Sequence, residues 1–425
     1  MLLESFCRAV AGFKSSSPQA AALLEVFFHA RKQKLKGMSM IKTMSKAKQG
    51  KTVKPISHFK RLAKLQIHEH IDCSLRPRTC VELWSRRNFE ISEAGKAAGV
   101  AFPVEIIRLW KAEDAAALPV RQRGAHVRKS RAAAVAAYDN WVASFAQQSL
   151  DNYLAAIVYH VLPLMHDLDN LQRIVRERIE DAVADGHIAI ELRFAPQLHL
   201  GEDGSTNSLD DVMKATIAGL KGSPIPVRLI VCALRHENGE TALTLANLAI
   251  KYRRYVGVFD LAASETIFPG VLNWWLPAAQ AIKRAGLKLT IHLWETQEPT
   301  EQDIVLLDYM GIGRIGHGVR GEKQGNRVIE VCPTSNVVTG QYATLADHPV
   351  DKLYRAGKRV CINTDGTLFT QVTLSGEYRK LAETFGWTER DFLAVNLTAL
   401  EASSFCPTAK AALKQKLLRC YKSYL

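Results

Sequence analysis

The sequence predicts an α/β protein folded as a (β/α)8 barrel, with a helical insertion after its first strand and a basic N-terminal extension. Three observations predict it. Eight short runs rich in Val, Ile or Leu recur from Lys64 onward, segments of helical pattern separate them, and the side chains best suited to chemistry fall at the ends of several runs. The runs are KLQIHEHID (64–72), IAIELRFAP (188–196), VRLIVCALR (227–235), VGVFDLAA (256–263), KLTIHLWE (288–295), RIGHG (314–318), VIEVCPTSN (328–336) and RVCINTDG (359–366). A chain of 425 residues with 47% hydrophobic content can bury a large core, and barrels of about 250 residues and more are routine single domains.

The segments between runs carry helix start and stop signals. Ser208 with Asp211 makes a capping-box pattern ahead of Leu209, Val212, Met213, Ile217 and Leu220 on one face, and Gly222 with Pro224 ends it. Thr300 with Asp303 opens a second helix that Gly311 closes, and Pro349 and Gly357 bracket a third. Between Arg76 and Gly186 the helical pattern is far longer than one crossover needs, so it reads as an insertion roofing the end of the first strand. From Gly376 to Leu425 the pattern is that of terminal helices.

Charge divides the chain into residues 1–60, a basic extension, and 61–425, the barrel. The net charge is +14, and residues 1–60 hold twelve Lys or Arg against Glu4 and Glu25 only. Such a segment could attract nucleic acid or simply be a solvated extension; its high charge and lack of interleaved aromatics favour the second. It is expected to be dispensable for chemistry, because no ligand or acid/base candidate lies in it. No run approaches the roughly 18–20 apolar residues of a membrane span. The eight cysteines are dispersed with no CxxC pair, which favours reduced thiols and a cytoplasmic location.

His68 and His70 lie two residues apart on an extended run, hence on one side of it, where both rings could share a zinc ion. HxH alone also fits ordinary surface or packed histidines. It gains weight from His292 and Asp365 at the ends of other strands, since barrel sites are built at strand C-termini. Glu295 follows His292 by three residues, close enough to pass a proton beside a metal, and His317 sits between Gly316 and Gly318, which leave room for close approach. Taken singly, Glu295 also reads as a surface acid, His317 as a turn histidine and Asp365 as a helix cap.

These motifs resemble, in order, those of the adenosine deaminase family across residues 64–405. HEHIDCSLRPRTCVEL is similar to the family's HxHLDGxxRPxTLxEL, IELRFAP to VELRFSP, and DLAASETIFPG to DLAGDE with a following FPG. HLWE stands for HAGE, RIGHG for RLGHG, EVCPTSNVVTG for E(S/I)CPxSN and INTDGTL for NTDDP. The resemblance implies a TIM-type barrel that hydrolyses adenosine or deoxyadenosine to inosine and ammonia, with one zinc held by His68, His70, His292 and Asp365. It implies that Glu295 protonates purine N1, that His317 handles the attacking water, and that Asp72 faces the sugar. It also implies a small purine nucleoside as the partner molecule.

Four departures fall where substrate is recognised. Gly366 replaces the family's second Asp, which contacts purine N7; Ala263 and Ser264 replace the Gly-Asp of DLAGDE; Trp294 replaces the glycine of HAGE; and Cys73 replaces a glycine, pointing away from the ligands by strand alternation. Trp294 is expected to offer a face for stacking on a base, and Gly366→Asp to improve adenosine turnover. The alternatives are a deaminase of another aminopurine or 6-amino heterocycle, or a non-catalytic metal-binding barrel serving as a binding protein.

Overall fold

The computed structural model describes residues 54–87, 103–145, 149–201, 206–268, 272–320 and 325–425. The first 53 residues, most of the basic extension, lie outside the described residues, as do parts of the Ala- and Arg-rich stretch after Arg87 and Pro269-Gly270 of the FPG segment. Residues 56–61 nevertheless form a packed helix, Ile56–Arg61, with Phe59 in the core and His58 Nε2 2.7 Å from Glu389 Oε1. The last residues of the charge-defined extension are thus packed against the body.

All eight predicted runs lie on parallel strands. β1 (Lys64–Gln66), β2 (His187–Phe194), β3 (Val227–Leu234), β4 (Val256–Ala262) and β5 (Lys288–Leu289) form one sheet in that order. β6 (His292–Leu293), β7 (Arg314–His317), β8 (Val328–Val331) and β9 (Val360–Ile362) form the second. β5 and β6 are halves of the single fifth run. Thr290 N still donates to Phe259 O (3.0 Å) on β4, whereas Ile291 O accepts from Gly316 N (2.7 Å) of β7, so the run changes partners at that step. The other seam closes through Asn363, whose Oδ1 accepts from Ile67 N (3.0 Å) and His68 N (3.1 Å), and through a parallel bridge between Glu69 and Asp365. The result is an eight-stranded ring.

The first run is strand only over Lys64–Gln66, shorter than the 64–72 expected, and a 3-10 turn covers Ile71–Cys73. The capping boxes are present at Leu209–Leu220 and Glu301–Met310, and Gly311 closes the latter at φ 70°, a left-handed cap that a side chain would resist. The insertion is helical, with helices including Pro77–Arg86, Val120–Phe145 and Leu150–Ala156. It packs on the segments that leave β1 and β9: Gln371 Nε2 donates to Asp139 O (2.6 Å), and the Tyr153 ring lies 5.2 Å from that of Phe369.

Beneath the mouth the barrel interior is charged. Arg193 on β2 donates to Asp260 Oδ2 on β4 (2.8 Å) and to Glu330 on β8, and Arg314 on β7 joins Glu330 to Glu191 Oε2 on β2 (2.6 Å). All five side chains are buried. Burial works against the charge of both guanidiniums and of Asp260 and Glu330, so the arrangement holds only because the charges pair with one another. Replacing Arg193 with Met takes a guanidinium partner from two buried carboxylates, and the metal-free variant is expected to lose about 3–5 kcal/mol of unfolding free energy in urea. A loss under about 1 kcal/mol would mean that the network is not holding the barrel together.

Candidate active site

The strand ends bring six sequence-predicted residues together. His68 and His70 leave β1 extended, pinned to the last strand by His70 N donating to Asp365 O (2.6 Å) and Asp365 N to His68 O (3.2 Å). His292 sits on β6 beside Gly316 of β7. A Cβ on Gly316 would stand 3.0 Å from His68 Cε1 and 3.3 Å from His292 Cα, so glycine there gives both rings their place. One ligand atom each from His68, His292, His317 and Asp365 falls within 4.8 Å of all the others. His70 Nε2 joins them, 3.1 Å from His292 Nε2 and 3.4 Å from Asp365 Oδ1.

The donor set fits a metal ion. His68 Nδ1 pairs with Glu330 Oε2 (2.9 Å) and His292 Nδ1 with Asp260 Oδ2 (3.0 Å). Those carboxylates accept the Nδ1 protons, which leaves both Nε2 lone pairs pointing into the cluster. His68 Nε2 is buried with no hydrogen-bond partner, and His70 and His292 turn ring nitrogens on one another, an arrangement that a shared cation relieves. Burial opposes ionisation of Asp365, but His68, His70 and His317 outweigh it and hold the carboxyl well below the usual range. Its Oδ2 also accepts from Ser335 Oγ (2.7 Å).

Glu295 stands beside this cluster, Oε2 3.6 Å from His317 Nε2. Burial, with the nearby charges of Asp365 and Glu265, pushes its carboxyl well above the ordinary range, which favours the protonated form. Asn336 bridges the two groups, its Nδ2 3.3 Å from Glu295 Oε1 and 3.2 Å from His317 Nδ1. The direction of the amide is fixed from behind. Val350 N donates to His348 Nδ1 (3.1 Å), so a neutral His348 carries its proton on Nε2 and presents it to Asn336 Oδ1 (3.2 Å).

Glu265, Asp260, Glu330, Ser335 and Asn336 were given no role by sequence reasoning, although all five lie in the quoted motifs. Glu265 clamps the acid-bearing loop: its carboxylate accepts from Trp294 N (2.7 Å), Glu295 N (2.9 Å) and Thr296 N (3.0 Å). The usable signal was a lone acid just past an apolar strand end, where burial demands donors.

The substrate-contact candidates differ from expectation in three places. Cys73 is not governed by strand alternation, because residues 71–73 have left the extended chain; its buried thiol instead lies against Gly366 and accepts from Tyr153 Oη (3.2 Å). A Cβ on Gly366 would meet Cys73 Sγ at 2.2 Å and Tyr153 Oη at 2.4 Å, so Gly366→Asp alone displaces both groups and cannot simply restore an acid. Trp294 is fully buried, its Nε1 donating to Asp303 Oδ2 (3.3 Å) on the outer helix Glu301–Met310, so the indole is packing and not a stacking surface. Asp72 takes His199 Nε2 (2.8 Å) and Ala195 N (3.2 Å). Ala263, at φ 84°, holds a left-handed backbone that an alanine adopts only under strain, and Trp294, His317 and Asp365 do the same at φ 59°, 61° and 65°.

Comparison with known proteins agrees with this geometry. The family model for adenosine deaminase matches residues 122–420. An adenosine deaminase from Mycobacteroides abscessus is 32% identical over 376 residues, covering 81% of this chain and 90% of the relative. In fold, the chain is similar to the N6-methyl-AMP deaminase of Arabidopsis thaliana (TM-score 0.65, 23% identity, 87% of this chain and 100% of that one). It is also similar to a zinc-bound amidohydrolase from Burkhoderia ambifaria (TM-score 0.62, 19% identity, 87% and 94%).

Glu265→Ala would leave three buried amides without an acceptor, at about 1–3 kcal/mol each. Amide hydrogen exchange at Trp294, Glu295 and Thr296 is expected to quicken while β2 and β3 stay protected. Unchanged exchange at those three amides would remove Glu265 from the clamp.

Proposed function

This chain belongs to the adenosine deaminase family and is an aminohydrolase of purines, and on that premise we propose that it converts adenosine or deoxyadenosine to inosine with release of ammonia. One observation carries the reading: a buried carboxyl, Glu295, placed 3.6 Å from His317 beside a convergent set of imidazoles and a carboxylate, where burial favours its acid form. A metal-binding barrel used only for binding needs the imidazoles but has no use for that acid.

His68, His70, His292 and Asp365 would hold one zinc ion, a donor set that suits it. Zinc bound there supplies the Lewis acidity that brings a water's pKa to about 7. The chain's own groups do the rest. Glu295 donates its proton to purine N1, which withdraws electron density from C6 as attack begins there. His317 Nε2 faces the same space and orients the attacking water, taking up its proton as the C–O bond forms. Asn336 keeps the acid and the imidazole in register, and the Glu265 clamp fixes the loop that carries the acid. His317 then passes the proton it took to the amino nitrogen, the C6–N bond breaks with release of ammonia, and the C6 hydroxyl gives its proton back to Glu295 as the carbonyl forms. Asp72, near the mouth, is the candidate for the sugar hydroxyl, and the backbone of Ala263 for the ring edge. A related aminopurine is the second reading, favoured by the filled corner at Gly366, which changes what the pocket offers to the ring.

The test is an ultraviolet assay of the zinc-loaded full chain on adenosine, deoxyadenosine, adenine and adenosine phosphates. Inosine formation from adenosine supports the first reading, turnover of another member only supports the second, and turnover of none overturns both. His68→Ala and His292→Ala are expected to lose metal and activity together; full metal occupancy in both would show the ligand set to be wrong.

Glu295→Gln is expected to keep its metal and lose about 10²–10⁴-fold in kcat, since the amide cannot supply a proton. The sign of the pH dependence follows from the raised carboxyl. The acid is present below its elevated pKa and is lost as pH rises through it, so kcat/KM falls on the alkaline side in the wild type. A wild-type profile without that alkaline limb, or near-normal rates in Glu295→Gln, would move the acid elsewhere.

A further inference from the structure

The corner of the mouth beside Asp365 is built from three residues that fit only one another. A side chain at Gly366 would project into space already held by the Cys73 thiol and the Tyr153 hydroxyl, its Cβ 2.2 Å from Sγ and 2.4 Å from Oη. Tyr153 Oη donates to Cys73 Sγ (3.2 Å), and both residues are buried. Tyr153 comes from the roof, on helix Leu150–Ala156, and its ring is seated edge-on against Phe369, centroids 5.2 Å apart. The hydroxyl is thus delivered from the insertion to the spot that residue 366 would otherwise fill.

The barrel decides what this spot faces. Cys73 follows the first strand and Gly366 the last, while Glu295 follows the fifth, which stands across an eight-stranded ring from them. The ligand cluster lies between. In a 6-aminopurine the two nitrogens N1 and N7 flank the reacting carbon on opposite sides. A ring with C6 over the cluster and N1 toward Glu295 therefore turns N7 toward the opposite rim, where Cys73 and Tyr153 stand. N7 is an acceptor and needs a donor. A phenol and a thiol are both donors in their neutral forms.

We propose that the Tyr153 hydroxyl, backed by the Cys73 thiol, hydrogen-bonds purine N7 and so sets substrate discrimination at this edge, in place of any side chain at 366. The inference rests on the aminopurine reading above. Its hydroxyl turns from Sγ in the free protein to N7 in the complex, and Sγ remains as a second partner. Burial pushes both groups further up, which keeps them protonated across the neutral range.

The experiment compares kcat/KM for adenosine and 7-deazaadenosine, which lacks only the N7 acceptor, in the full-length zinc enzyme and in Tyr153→Phe. The wild type is expected to favour adenosine. Tyr153→Phe should lower the adenosine value roughly ten- to a hundredfold more than the 7-deazaadenosine value, so that the ratio falls toward one. A merely structural tyrosine lowers both equally, and equal losses, or no loss on adenosine, overturn the proposal. Turnover of 7-deazaadenosine also reports that the variant is folded. A rebuilt corner gives the rescue: Tyr153→Phe with Cys73→Gly and Gly366→Asp removes the three nearest obstructing atoms and offers a carboxylic acid instead, and it should recover the adenosine preference. Failure of that triple variant to discriminate, while still turning over 7-deazaadenosine, also counts against the placement of N7 here. If the wild type deaminates another aminopurine and not adenosine, the function reading fails alone, and the same ratio is read with that substrate and its 7-deaza analogue. If it deaminates no aminopurine, both fall.

Discussion

The site depends on a buried ionic network in which Arg193 is the link between two strands. Arg193 reaches across the barrel from β2 to Asp260 on β4 and to Glu330 on β8, and each of those carboxylates takes the Nδ1 side of an imidazole in the cluster above, His292 and His68 in turn. Without Arg193, Asp260 loses its guanidinium partner and Glu330 keeps Arg314 alone, so burial pushes both toward protonation, and a protonated carboxyl no longer holds Nδ1–H. The histidines could then present the wrong nitrogen to a metal. Fold and chemistry share this contact: the same side chains tie strands across the ring and set the tautomers at its mouth.

Strain at the mouth follows from the same economy of space. Ala263, Trp294, His317 and Asp365 all sit in the left-handed region where their strands end. Each such turn costs on the order of 1–3 kcal/mol, and the hydrogen bonds around it hold it in place. Glu265 does so for the turn at Trp294, while the seam with the first strand does so for Asp365. Sharp turns at the strand ends let consecutive residues serve different ends. Trp294 packs outward under the helix Glu301–Met310, and Glu295, next to it, faces the cluster.

Much of this was legible in the sequence, and the limits have physical causes. Apolar runs of strand length and capping pairs such as Ser208 with Asp211 are local signals, and they located the strands and helices. The six ligand and acid/base candidates were legible because their types and positions repeat at strand ends. Arg193, Asp260 and Glu330 were not, since an isolated polar residue in an apolar run reveals its role only when the ring brings partners from other strands against it. Strand alternation failed at Cys73 because the chain had already turned at Ile71. The loss of an acid at Gly366 could be read from the motif, but its cause could not. The volume is taken by Tyr153, which lies far off in the sequence within the insertion, so only packing connects the two.

The central claim is that His68, His70, His292 and Asp365 hold a single zinc ion and that the nearby thiol of Cys73 has no part in it. X-ray absorption at the zinc edge of the stoichiometrically loaded full chain tests this most directly. The account predicts a first shell of nitrogen and oxygen only, at about 2.0–2.2 Å, with the outer scattering of several imidazoles. A sulfur scatterer at about 2.3 Å, or a shell without imidazole, would contradict it.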